Sequence, residues 1–343
     1  MRNYLKNNQI YFGVQVLLVI MFFYPLLPIG YTTNDDTRAF LAASSISNVL
    51  QSAIMLAENQ GRFFMMFTHF LSMVPYLFDS IVYYKIISFS SILLNYILFS
   101  YAIYIFFNSK KLSLLLSILF IVFLQNSWEH NLVTSYPLVF HFGMNMLLIS
   151  LLLFRKYLLE NINKYLYLSI IAFILCTFSY EMFIPYTLLF VFIAYYFTNK
   201  RIKETLLKVS PFIFYIFSYV IIYIAYRRFF PGSYDGVQLE NEFSLINILK
   251  VIFQFSISSF PTYTAFSHVQ YLREFSTSFE PYQLNFSYIF SNIKVDSIVK
   301  IILVNVIVVK ILNINEGFDK VKTNFIFIIS GLLTVMPVML VAI

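Results

Sequence analysis

The sequence predicts an all-α, polytopic helical membrane protein of about nine transmembrane helices, with interfacial helices in its exterior loops. Three observations carry that prediction. Of the 343 residues, 60% are hydrophobic and 20% aromatic, and only 11% are charged, where a soluble chain carries about a quarter charged residues. Mean hydropathy is +0.77, and the apolar residues fall in repeated runs near the length of a bilayer span. Those runs are continuous rather than alternating, which disfavours a β-barrel.

Spans are expected at 10–30, 81–107, 112–126, 137–154, 166–180, 183–198, 209–226, 298–313 and 325–343. Residues 63–78 are also apolar, but Pro75 and Asp79 interrupt them, so an interfacial or re-entrant helix is expected there. The first run is too long for a signal peptide, and no small-x-small site follows it before Asp35, so it is expected to stay as a span. The chain ends in the apolar run from Phe325 to Ile343 without a polar tail, so the sequence leaves open a truncated C-terminus. Residues 1–343 are read as one integral membrane domain, with an exterior loop at 32–80 carrying juxtamembrane helices and a long exterior segment at 227–297.

Basic residues set the sidedness. Arg2 and Lys6 precede the first span, and Lys110, Lys111, Arg155, Lys156, Lys164, Lys200, Arg201, Lys203, Lys208, Lys310, Lys320 and Lys322 fall in alternate loops. These share one side, expected to be cytoplasmic, and the N-terminus goes with them. The same distribution accounts for the net charge of +7 without a nucleic-acid partner. A bias towards Phe, Tyr, Ile, Asn and Lys fits an AT-rich bacterial gene, and hence a bacterial inner membrane. The single cysteine, Cys176, excludes a disulfide framework within the chain.

Most carboxylates fall on the opposite side, and the motifs lie with them. Asn34-Asp35-Asp36-Thr37-Arg38 follows the first span directly. A helix over Thr37–Glu58, closed by Gly61-Arg62, would make the acidic pair an N-cap; the functional alternative is a catalytic carboxylate. Trp128-Glu129-His130 occupies the second exterior loop, where an interfacial belt competes with ligand contact. Glu181, in Ser179-Tyr180-Glu181, stands among Phe178, Met182 and Phe183 and needs a partner; an arginine would serve. Arg227-Arg228 is either an interface anchor or a phosphate clamp. His141 is expected to be a packed, hydrogen-bonded histidine.

The acidic pair after the first span, the juxtamembrane segments that follow it, and the downstream Gly61-Arg62 resemble the GT-C superfamily of membrane glycosyltransferases. The resemblance covers the topology of most of the chain and the segment from Asn34 to Arg62. It implies transfer of a sugar from a polyprenyl-phosphate carrier to a cell-surface glycan, lipid or protein on the exterior side. Asp35 or Asp36 would be the base. Arg38, Arg62, Arg227 and Arg228 would hold phosphate, and Glu129, His130 and Glu181 would line the site. Some members use a divalent cation and others do not, and Asp35 and Asp36 would be its ligands. The resemblance is not expected to extend to the soluble C-terminal domain that many members carry. The chain has no P-loop and no G-x-G-x-x-G, which disfavours ATP-driven transport and nucleotide-cofactor chemistry. Two rivals stand beside this one. A polysaccharide polymerase or flippase-like protein would work through the exterior segment at 227–297, and a transporter would rely on His141 and Lys85.

Overall fold

A computed structural model describes residues 45–78, 80–110, 112–114, 116–117, 138–198 and 201–232, together with residues 13, 16, 17, 19 and 20 in the first expected span. Among the described residues the fold is helical, without a strand. The chain forms α1 (Ile46–Gln60), α2 (Met65–Met73), a 3-10 turn (Val74–Leu77) and α3 (Ile81–Phe107). It continues as α4 (Val139–Glu160), α5 (Asn163–Ser179), a second 3-10 turn (Glu181–Tyr186), α6 (Thr187–Phe197) and α7 (Ile202–Phe229). By length and composition α3, α4 and α7 can each cross a membrane, which makes this a membrane protein.

Several expected boundaries move. The expected span at 81–107 is α3, the one at 137–154 becomes the longer α4, and the one at 209–226 becomes the longer α7. The expected span at 166–180 becomes α5, which starts three residues earlier and has 17 residues, and the one at 183–198 becomes the shorter α6 of 11 residues, after the turn that holds Pro185. The expected spans at 10–30, 112–126, 298–313 and 325–343 lie wholly or largely outside the described residues. Residues 63–78 form a short helix ended by the Pro75 turn, too short to span.

A continuous helix over Thr37–Glu58 is not what forms. α1 starts at Ile46, and its N-cap is Ser45, whose backbone is extended and whose hydroxyl accepts the Asn48 N–H at 3.2 Å. A serine hydroxyl satisfies an orphan amide that the alanines before it cannot. Asp35 and Asp36 are therefore not the cap of this helix.

α4 and α5 run antiparallel and close together because small polar residues face each other. Ser150 and Ser169 each donate to the other's carbonyl at 2.7 Å. In an apolar solvent such pairs and small side chains, rather than oil-like exclusion, hold helices together. Gly143 serves the same end nearer the other terminus: a Cβ there would collide with the Phe183 ring and the Ser179 hydroxyl. Phe154, Phe173, Phe190 and Phe212, one from each of α4 to α7, form the buried centre. Phe190 stacks on Phe212 at 4.2 Å between centroids, and Phe173 meets Phe190 edge-on at 4.9 Å.

α7 carries Pro211 in its interior, which removes the amide that would bond the Leu207 carbonyl. Ser210 Oγ donates to that carbonyl at 2.9 Å, so the lost bond is replaced locally.

The two ends of the bundle differ chemically. At one end lie Lys156, packed 4.1 Å above the Tyr165 ring, and Lys208, which donates to Asn161 Oδ1 at 2.7 Å. Arg201 and Glu204 pair there at 2.8 Å in the open. The lysines and the arginine here are among the basic residues expected to share one side. The opposite end gathers the α1–α2 turn, the C-terminal ends of α5 and α7, and the start of α4.

Candidate functional site

The site forms at that second end, beginning with Gly61. α1 terminates in a Schellman motif: Gly61 takes the left-handed conformation at φ +65°, its N–H donates to the Glu58 carbonyl, and the Arg62 N–H donates to the Ala57 carbonyl at 3.0 Å. The chain reverses there, and the Arg62 carbonyl accepts the Met65 N–H as α2 starts. This tight reversal turns the Arg62 side chain inward, where it is only 7% exposed.

Its partner comes from a second helix break. α5 stops at Ser179, Tyr180 is extended, and Glu181 opens the 3-10 turn. Thr68 of α2 donates to the Ser179 carbonyl at 2.7 Å and pins the end of α5 to the α1–α2 turn. With both breaks held, Arg62 Nη2 donates to Glu181 Oε1 in a largely buried ion pair. The arginine that Glu181 needs is thus Arg62, 119 residues away in the chain.

Aromatic rings enclose the pair. The Arg62 guanidinium lies 4.9 Å over the Phe64 ring. Phe63 is wedged between Phe178 and Tyr219, at 5.5 and 5.0 Å. Tyr223 stacks on Phe64 at 6.4 Å. In this low-polarity setting a carboxylate is costly, and burial raises Glu181 above the ordinary carboxyl range although Arg62 pulls the other way. Burial also opposes the Arg62 cation, but Glu181 outweighs it, so the guanidinium stays charged.

Tyr219 adds an unexpected feature. The residue is 3% exposed, and its hydroxyl has no hydrogen-bond partner among the described residues. It is near enough to Glu181 and Arg62 for both charges to act on it. Sequence reasoning passed over it, yet a signal was present: Tyr215, Tyr219, Tyr223 and Tyr226 recur at helical spacing along one stripe of α7.

Of the other expected site residues, Arg227 hydrogen-bonds Tyr223 and so borders the cluster, whereas Arg228 is exposed. Two neighbouring arginines on a helix diverge by about 100°, so only one can face the site. Asp35, Asp36, Arg38, Glu129 and His130 lie outside the described residues. His141 is buried in the first turn of α4, where its carbonyl accepts from Asn95 at 3.5 Å. Among the described residues no three His, Cys, Asp or Glu side chains gather as a metal ion would need.

The arrangement can bind an anion through a guanidinium held in a desolvated aromatic setting, with a second guanidinium and a hydroxyl adjacent. No family model matches the chain, and neither a curated protein nor a solved structure matches it.

Proposed function

We propose that the protein is a glycosyltransferase of the bacterial inner membrane, with its N-terminus cytoplasmic, that takes a sugar from a polyprenyl-phosphate carrier at the exterior face. The observation that carries this reading is the buried Arg62–Glu181 pair, ringed by tyrosines at the end of the bundle opposite the basic cluster. By the positive-inside rule that end is the one expected to face the exterior, as the loop carrying Asp35 and Asp36 is expected to do.

In the reaction, the acceptor hydroxyl oxygen bonds to the anomeric carbon while the bond from that carbon to the carrier phosphate breaks. Asp35 or Asp36 takes the hydroxyl proton. Arg62 and Arg227 stabilise the departing phosphate, with Arg38 and Arg228 as further cations. Glu129 and His130 contact the sugar or its acceptor. The acceptor is a glycan, lipid or protein of the cell surface.

The test is transfer by the purified protein from radiolabelled polyprenyl-phosphate sugars. Asp35→Asn together with Asp36→Asn should lower the rate by about a hundredfold or more. Full activity in that variant sinks the proposal. A mutant strain with single glycan units still exported but no long chains would favour a polymerase instead.

A further inference from the structure

We infer that Glu181 is an internal occupant of an oxyanion site: it holds Arg62 until a phosphate group exchanges for it and also accepts from the Tyr219 hydroxyl. The inference takes from the proposed function only the premise that this site meets a phosphate.

The pair is asymmetric. The Arg62 side chain is 7% exposed and that of Glu181 30%, so the carboxylate stands on the outward side of the guanidinium. Arg62 is fixed by the Schellman turn and by the Phe64 ring beneath it. Glu181 is held more lightly. Among the described residues its one hydrogen-bond partner is Arg62, and it sits at a helix break, after the extended Tyr180. A carboxylate so placed can swing outward while the guanidinium stays.

Tyr219 indicates what takes its place. A buried hydroxyl without a partner is costly, and Glu181 lies close without relieving it. The carboxylate meets the guanidinium through Oε1 and leaves the hydroxyl unmet. A phosphate has more oxygens in a tetrahedral spread, so it can accept from both at once, with Arg227 at the border. A purely structural ion pair would explain the contact between the two turns. It would leave the Tyr219 hydroxyl unaccounted for.

The test measures phosphate affinity of the full chain in detergent, by thermal shift. Cys176 is the sole cysteine and is fully buried, so a fluorogenic maleimide reports unfolding. The ligands are inorganic phosphate and farnesyl phosphate. Glu181→Gln should bind about tenfold more tightly than wild type, because the competitor's charge is gone. Arg62→Gln should bind neither ligand, and Tyr219→Phe should bind several-fold more weakly. Glu204→Gln, which removes an exposed carboxylate at the opposite end, should match wild type.

Equal or weaker phosphate binding by Glu181→Gln overturns the inference. If that variant does not fold, Tyr219→Phe decides, and unchanged affinity there overturns it. A gain for both ligands identifies a phosphorylated lipid headgroup as the occupant, and a gain for inorganic phosphate alone identifies a soluble anion; either supports the exchange. A protein that exchanges phosphate but transfers no sugar keeps this inference and loses the glycosyltransferase reading. One that transfers sugar while Glu181→Gln binds phosphate like wild type does the reverse.

Discussion

Gly232 rests against the backbone of Gly61: a Cβ on Gly61 would stand 2.8 Å from the Gly232 amide nitrogen. The two glycines let the residues just beyond α7 lie on the turn that aims Arg62. Gly232→Ala would drive a methyl group into the Gln60 carbonyl, which is backbone and cannot step aside. A loss of about 1–3 kcal/mol is expected, read as a lower unfolding temperature. Gly61→Ala meets the same crowding and adds the strain of φ +65°.

Glu181 sets a pH dependence. Burial raises its carboxyl above the ordinary value of 4.5, so the folded chain binds this proton more tightly than the unfolded chain does. Its stabilising contribution is therefore full below that value and declines as pH rises through the window above it. The unfolding temperature of wild type minus that of Glu181→Gln should shrink between about pH 4 and about pH 7. A difference that grows with pH would mean that Arg62, not burial, governs the carboxyl.

Tyr219→Phe removes a buried hydroxyl that has no partner among the described residues and leaves the ring packed on Phe63 and Phe178. The ligand-free variant should be as stable as wild type or about 1 kcal/mol more stable. Destabilisation of similar size would reveal a hydrogen bond in solution, and the unfolding midpoint in denaturant distinguishes the two.

Ser150 and Ser169 form a reciprocal pair, so their substitutions should not add. In a double-mutant cycle with alanine, the coupling should fall near 0.6 kcal/mol and below about 1.7 kcal/mol. A cycle that closes to zero would mean that the close approach of α4 and α5 depends on side-chain size alone.

Much of this architecture was legible because a bilayer demands long apolar runs. α3 matches its expected bounds, since nothing polar enough interrupts Ile81–Phe107. α4 overshoots because Arg155 and Lys156 continue the helix, their cationic ends resting on aromatic rings, Arg155 over Phe106 and Phe197 and Lys156 over Tyr165. α6 falls short because hydropathy is blind to the backbone at Pro185, where the chain winds as a 3-10 turn. The start of α1 was misplaced because two aspartates outweighed the better-positioned Ser45. For the site, charge in an apolar context marked Arg62 and Glu181 one at a time. Their meeting depends on two helix breaks and on Thr68, and no local pattern encodes that. Tyr219 escaped notice because a tyrosine in a span is ordinary until its hydroxyl is found buried.

The brevity of α6 bears on how the chain sits in the bilayer. Eleven residues rise about 17 Å, roughly half the hydrocarbon thickness, so α6 nears spanning length only with the 3-10 turn before it, as the apolar stretch Glu181–Phe197. Glu181 is the first residue of that stretch, so the carboxylate paired with Arg62 stands at its end rather than its middle, where a charge costs less in a bilayer.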